Sequence, residues 1–181
     1  MISYQEGDAK FNFRVSAIIL NQSRDSVLIH TIKGYDFWLL PGGRTEMLES
    51  TEAAISRELK EELGVRTCKR RLAIISEDFF NFNHQSYHEL GFSYLVDLPK
   101  SSCLFKKDGI FEGLEGNRYL FKWHKIDKLK EIDFRPQFLI KEIEDINSLN
   151  RIVKITVDER PTKINENLCL NKNEAHSLIS L

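Results

Sequence analysis

The segment Pro41–Val65, PGGRTEMLESTEAAISRELKEELGV, decides how this chain is read. It opens on Gly42-Gly43, places Glu58, Glu61 and Glu62 within two helical turns, and closes on Gly64. Ile55, Leu59 and Leu63 recur every four residues with Ala54 beside them. That spacing predicts a helix of about 14 residues near Ser50–Leu63. Ser50 or Thr51 can cap its start, and Gly64 stands where a helix stops. At about 100° per residue, Glu58, Glu61 and Glu62 fall on the face adjoining the apolar stripe, while Lys60 and Ser56 point away. Like charges one turn apart cost roughly 0.2–0.5 kcal/mol per pair. Glu61 and Glu62 also occupy the last turns, where the helix dipole disfavours anions. A divalent cation at that edge reverses both penalties. Hard cations such as Mg²⁺ take carboxylate oxygens together with substrate phosphates. The pattern therefore points to metal-dependent chemistry on a phosphate ester or anhydride. Gly42-Gly43 supplies backbone that turns sharply and approaches closely, and Arg57 is expected to pair with Glu49.

Outward from this helix the periodicity changes to that of strands. Phe13–Leu20 is a β-branched run ended by the turn signal Asn21-Gln22-Ser23, and Ser26–Ile32 reads as a second strand, hairpin-linked to the first. Phe37–Leu40 reads as a short apolar strand leading into Pro41. Beyond the helix, Arg71–Ser76 (extending toward Phe80) and His88–Val96 form strands joined by the polar stretch Asn81–Ser86. Pro99–Gly116 lacks periodicity and is expected to be a long loop, a feature often tied to function. Arg118–Ile126 is a strand, Gln137–Leu149 an amphipathic helix, and Arg151–Val157 a last strand. A mixed β-sheet with inserted helices follows, an α/β or α+β arrangement. Residues 1–160 are expected to form a single domain. From Pro161 to Leu181 a polar tail follows, in which Leu168, Leu170, Leu178 and Ile179 can dock.

The bulk properties exclude several classes. The 181 residues carry a net charge of -1, 41% hydrophobic and 29% charged side chains. This is neither a broadly basic nucleic-acid surface nor a polybasic membrane anchor. Lys69-Arg70-Arg71 and Lys106-Lys107 read as solvated faces. Cys68, Cys103 and Cys169 are odd in number and widely spaced, which fits small buried residues rather than a disulfide framework or zinc site. MISYQEGDAK has no charged segment followed by an apolar one, and apolar runs fall far below the ~18 residues of a membrane span. A cytoplasmic protein is expected.

Counting along the opening segment yields a specific pattern. Five residues separate Gly43 from Glu49, and seven separate Glu49 from Arg57-Glu58-Leu59. One residue precedes Glu61-Glu62, and one more precedes Gly64-Val65. Every position of this series matches the signature of the Nudix (MutT-like) hydrolases, which the chain resembles from about Phe13 to Leu149. The resemblance implies an α/β/α sandwich whose loop–helix–loop holds Mg²⁺ or Mn²⁺. It also implies attack by water at phosphorus in a nucleoside diphosphate linked to some group X. Carried over by position, Glu58 and Glu62 become the principal metal ligands, Glu61 adds a ligand directly or through water, and the Gly42 carbonyl completes the shell. Gly43, Glu49, Arg57 and Gly64 support the motif. The general base varies within the family: Glu58, Glu61 and a later loop acid, Glu115 with Glu112 behind it, are the candidates.

The substrate side is less determined. Phe79, Phe80, Phe82 and Tyr87 offer stacking faces for a base, and Phe80, Tyr87 and Glu89 are the substrate-binding candidates. His84, His88 and His124 lack a nucleophile or ligand partner and read as surface or structural residues. No proline lies between Pro41 and Pro99, unlike the ADP-ribose enzymes, and the segment typical of NADH enzymes is absent. Tyr87 stands later than the tyrosine of the dinucleoside polyphosphate enzymes. The resulting expectation is a pyrophosphatase acting on a nucleoside triphosphate, including oxidised ones, with a nucleotide sugar or dinucleotide as the enzymatic alternative. A non-catalytic nucleotide sensor is the other class; such modules usually carry an eroded motif or an attached DNA-binding domain. The expected partner is a small nucleotide rather than nucleic acid or membrane, and a homodimer stays open.

Overall fold

The computed structural model describes residues 1–67, 69–149 and 151–160. The first elements are Ser3–Glu6 (β1), Ala9–Ile19 (β2), Ser26–Ile32 (β3), Gly42–Arg44 (β4) and the helix Thr51–Leu63 (α1). Lys69–Phe82 (β5), Gln85–Asp97 (β6), Ile110–Glu112 (β7), Tyr119–Lys125 (β8), the short helix Leu139–Glu144 (α2) and Val153–Asp158 (β9) follow. One mixed sheet has the order β1-β2-β6-β5-β9, with β4 also on β2, and a smaller sheet has the order β3-β8-β7. β2 runs parallel to β6, and β5 parallel to β9. β5 and β6 form a long hairpin whose turn residues, Asn83 and His84, have φ of 50° and 62°. Positive φ at both positions matches the turn twist to the strand twist.

Alternation along β2 divides the core in two. Val15, Ala17 and Ile19 pack with Ile55, Leu59 and Leu63 of α1, whereas Ile18 and Leu20 pack with Leu139, Ile140 and Ile143 of α2. With helices on opposite faces, the molecule is an α/β/α sandwich. Ile55 and Leu59 are fully buried, each contributing about 1.5–3 kcal/mol. The Ser50 side chain accepts from the Ala53 N–H at 3.2 Å, and Gly64 ends α1 at φ 66°.

Several local expectations need correction. β2 and β3 are not a hairpin: only Leu20 and Val27 bridge, and β3 pairs with β8. Both edges of β2 are already taken, by β1 and β4 on one side and β6 on the other. Phe37–Leu40 makes only isolated bridges, His30 to Leu39 and Trp38 to Phe134, and the ladder begins at Gly42. α2 stops at Glu144 rather than Leu149, although Ile146 beyond it stays buried. The 99–116 segment is not structureless, since it holds a 3₁₀ turn at Cys103–Lys106 and β7. Cys103 is exposed rather than buried. Cys68, Cys169 and the tail from Pro161 lie outside the described residues. No helix among the described residues is long and apolar enough to cross a membrane.

Candidate active site

β4 delivers Gly42 and Gly43 between β2 and α1, and neither position has room for a side chain. Gly42 has φ 138°, and a Cβ there would lie 2.2 Å from the Val15 carbonyl oxygen. A Cβ on Gly43 would lie 2.4 Å from the Glu58 carboxyl carbon. Beneath this loop Arg57 gathers three carboxylates. It grips Glu49 with a two-pronged fork, Nε to Oε1 and Nη2 to Oε2, both at 2.9 Å. Its Nη1 donates to Glu58 Oε1 at 2.8 Å and Glu61 Oε2 at 3.1 Å, and Nη2 also reaches the Arg44 carbonyl at 3.1 Å. The fork holds the Glu49 carboxyl below its ordinary range. Bidentate pairs of this kind fix orientation as well as charge.

The acidic arc is graded by burial. The Glu61 side chain is 48% exposed and that of Glu58 13%, while Glu62 is buried at 2%. The Gly42 N–H donates to Glu62 Oε2 at 3.3 Å, and His30 Nδ1 stands 3.8 Å from Oε1. Burial pushes the Glu62 carboxyl up to about 8; Arg14 and the Gly42 N–H oppose this, and Glu58 and Glu115 reinforce it. His30 and Glu62 are not an ion pair, because burial holds the imidazole neutral, down to about 3, with Arg14 adding to the effect. Glu115 lies on the loop entering β8. That loop is docked on the end of α1 by the Leu114 N–H, which donates to the Glu62 carbonyl at 2.7 Å. This satisfies one of the carbonyls that every helix end leaves open. Glu112 is exposed on β7.

On the α2 face, a cleft of about 680 Å³ opens over the main sheet. Its floor carries Ser76, Asp78 and Phe80 of β5 against Gly91, Glu89 and Tyr87 of β6, and Phe37, Arg135 and Pro136 form a wall. The three substrate-binding candidates, Phe80, Tyr87 and Glu89, all line it. Phe80 and Tyr87 are cross-strand partners stacked at 5.0 Å and 3°. Asp78 faces Glu89 in the register, is 4% exposed, and has an Oδ1 without a partner among the described residues. Burial, then the charges of Glu159 and Glu89, push the Asp78 carboxyl up to about 7. Burial also raises Glu89, against Arg14 and an Asn12 hydrogen bond. Arg14 joins the two regions: it lines the cleft, and its Nη2 donates to the Gly42 carbonyl at 3.3 Å.

Arg14, Asp78, His30 and Arg135 were not singled out from sequence. Asp78 did carry a signal, a carboxylate in step with Ser76 and Phe80 on one face of a strand. Phe79 and His88 point to the other face, stacked at 4.3 Å, with His88 Nε2 at 3.0 Å from Glu77. His84 sits in the hairpin turn, and His124 Nε2 lies 3.1 Å from the Lys128 carbonyl oxygen.

A model of the NUDIX domain matches residues 10–141, and so spans the box, the cleft strands and α1 together. The chain belongs to the Nudix family. It is a MutT-like Nudix hydrolase. It is 25% identical over 127 residues to the 8-oxo-dGTP diphosphatase of Buchnera aphidicola subsp. Schizaphis graminum, covering 69% of this chain and 85% of that one. In fold it is similar to a mutator MutT protein from Bacillus halodurans, with a TM-score of 0.56, 19% identity, and 83% and 91% of the two chains covered. A MutT Nudix hydrolase from Burkholderia pseudomallei gives a TM-score of 0.56 at 22% identity, covering 73% of this chain and 96% of that one.

Proposed function

We propose that this Nudix hydrolase cleaves a nucleoside triphosphate, with oxidised nucleotides such as 8-oxo-dGTP foremost, to a monophosphate and pyrophosphate. The observation that carries this reading is Arg14, which lines the cleft and donates to the Gly42 carbonyl beside the box. A parallel aromatic pair, Phe80 and Tyr87, and two carboxylates, Asp78 and Glu89, line the cleft, while the glutamates of the box stand on α1. The name of the Buchnera relative supports the substrate class. Phe80 and Tyr87 offer stacking faces to a base, while Asp78 and Glu89 meet N–H donors on its edge.

The carboxylates of Glu58, Glu61 and Glu62 and the carbonyl of Gly42 are all hard oxygen donors, and they fit Mg²⁺ or Mn²⁺. Glu62 supplies the test of fit: its buried carboxyl is repelled by Glu58 and Glu115, a cost that a bound cation offsets. Among the described residues no three acidic, histidine or cysteine side chains already converge on one point. Arg57 accounts for this, because a single nitrogen, Nη1, holds both Glu58 and Glu61. Either can turn away while the Glu49 fork keeps the arginine seated. When bound, the ion neutralises pyrophosphate oxygens and lowers the pKa of water. Glu115, exposed and outside the Arg57 clamp, takes the proton of the attacking water. The water oxygen bonds to phosphorus as the bridging P–O bond between the α- and β-phosphates breaks, giving monophosphate and pyrophosphate.

The test is hydrolysis of a panel of ordinary and oxidised nucleoside triphosphates with Mg²⁺, reading monophosphate and pyrophosphate. Turnover that needs the divalent ion and collapses in Glu62→Gln is expected. Unchanged hydrolysis in Glu62→Gln overturns the assignment.

A further inference from the structure

His30 lies on β3 beside the box, and no step above uses it. Its side chain is buried, and neither ring nitrogen has a hydrogen-bond partner among the described residues. A phenylalanine or leucine would fill the same space without leaving polar atoms unsatisfied, so the imidazole requires an account. Packing fixes its plane. The ring stacks on Tyr119 with centroids 5.3 Å apart at 16°, and tilts against Phe121 at 5.5 Å. Nδ1 stands 3.8 Å from Glu62 Oε1, while the Gly42 N–H donates to Oε2 at 3.3 Å.

We infer that His30 is a positioning residue for Glu62: its Nδ1–H closes on Oε1 and, with the Gly42 N–H, fixes the direction in which the carboxylate offers its remaining lone pairs to a divalent cation. A shift of about 0.8 Å brings the pair to ordinary hydrogen-bond distance. Groups that orient a ligand in this way typically account for about 10–100-fold in metal affinity. The inference rests on the reading of Glu62 as a cation ligand.

The experiment is Mn²⁺ titration of the full chain by electron paramagnetic resonance, with thermal melting alongside, for wild type and the Glu62→Gln, His30→Phe, His30→Gln and His30→Asn variants. The Asn amide nitrogen occupies roughly the place of Nδ1, the Gln amide that of Nε2, and Phe keeps only the ring. Mn²⁺ affinity is expected to fall about 10–100-fold in His30→Phe and His30→Gln and to be largely rescued in His30→Asn. Loss in Glu62→Gln with wild-type affinity in His30→Phe overturns the role of His30 alone. Wild-type affinity in Glu62→Gln overturns the ligand reading itself. If His30→Phe does not fold, equal affinities in the Asn and Gln variants refute the inference.

Discussion

Replacing Asp78 with asparagine changes how stability depends on pH, by an amount the structure bounds. Asp78 is 4% exposed on the cleft floor, facing Glu89, and burial raises its carboxyl from 3.8 to about 7. Between these values the folded protein keeps a proton that the unfolded chain has released. The stability it contributes is therefore complete below about pH 4 and is lost as pH rises through about 7. A shift of about 3 pH units corresponds to at most about 4 kcal/mol. Water in the open cleft screens the carboxylate, so about 2 kcal/mol is the working figure. The asparagine side chain keeps the shape and never ionises. In urea unfolding followed by tryptophan fluorescence, Asp78→Asn should match wild type near pH 4 and exceed it by about 2 kcal/mol at pH 8. Taking the difference between the two proteins cancels other titrating groups to first order. Parallel stability curves across pH 4–8 would refute the raised Asp78 carboxyl and the burial that causes it.

Other consequences are as direct. Gly43→Ala drives a methyl into the Glu58 carboxylate, so hydrolysis should fall while the melting temperature changes little; wild-type turnover would contradict the close approach. Phe80→Ala removes one face of the Phe80–Tyr87 stack. KM for nucleotide should rise about five- to hundredfold with kcat largely kept, the range of one lost base–aromatic contact, as steady-state kinetics will show. Leu59→Ala empties a fully buried site under α1 and should cost about 2–5 kcal/mol in denaturant unfolding.

The opening segment was unusually legible because its determinants are local. Ser50 and Gly64 cap α1 as the spacing implies, and Arg57 reaches back over two turns of α1 to Glu49, just before the N-cap. The Ser26–Ile32 strand was delimited to the residue. Legibility failed where a contact depends on which distant strand lies alongside. β3 reads locally as a hairpin partner of β2, yet it joins β8 because both edges of β2 are filled. A parallel crossover leaves no turn signal in the sequence, so the placement of β2 beside β6 could not be read.

Sequence alone therefore determined the helix, its caps, its glutamates and the family, since all of these lie within the 23 residues of Gly43–Val65 and follow from covalent spacing. Tertiary structure decided what those residues face. It buried Glu62 against His30 while leaving Glu61 in water. It also brought Arg14, Asp78 and Glu89 from three strands to one cleft. Burial and long-range register set those relations, and neither is written in the order of residues along one element.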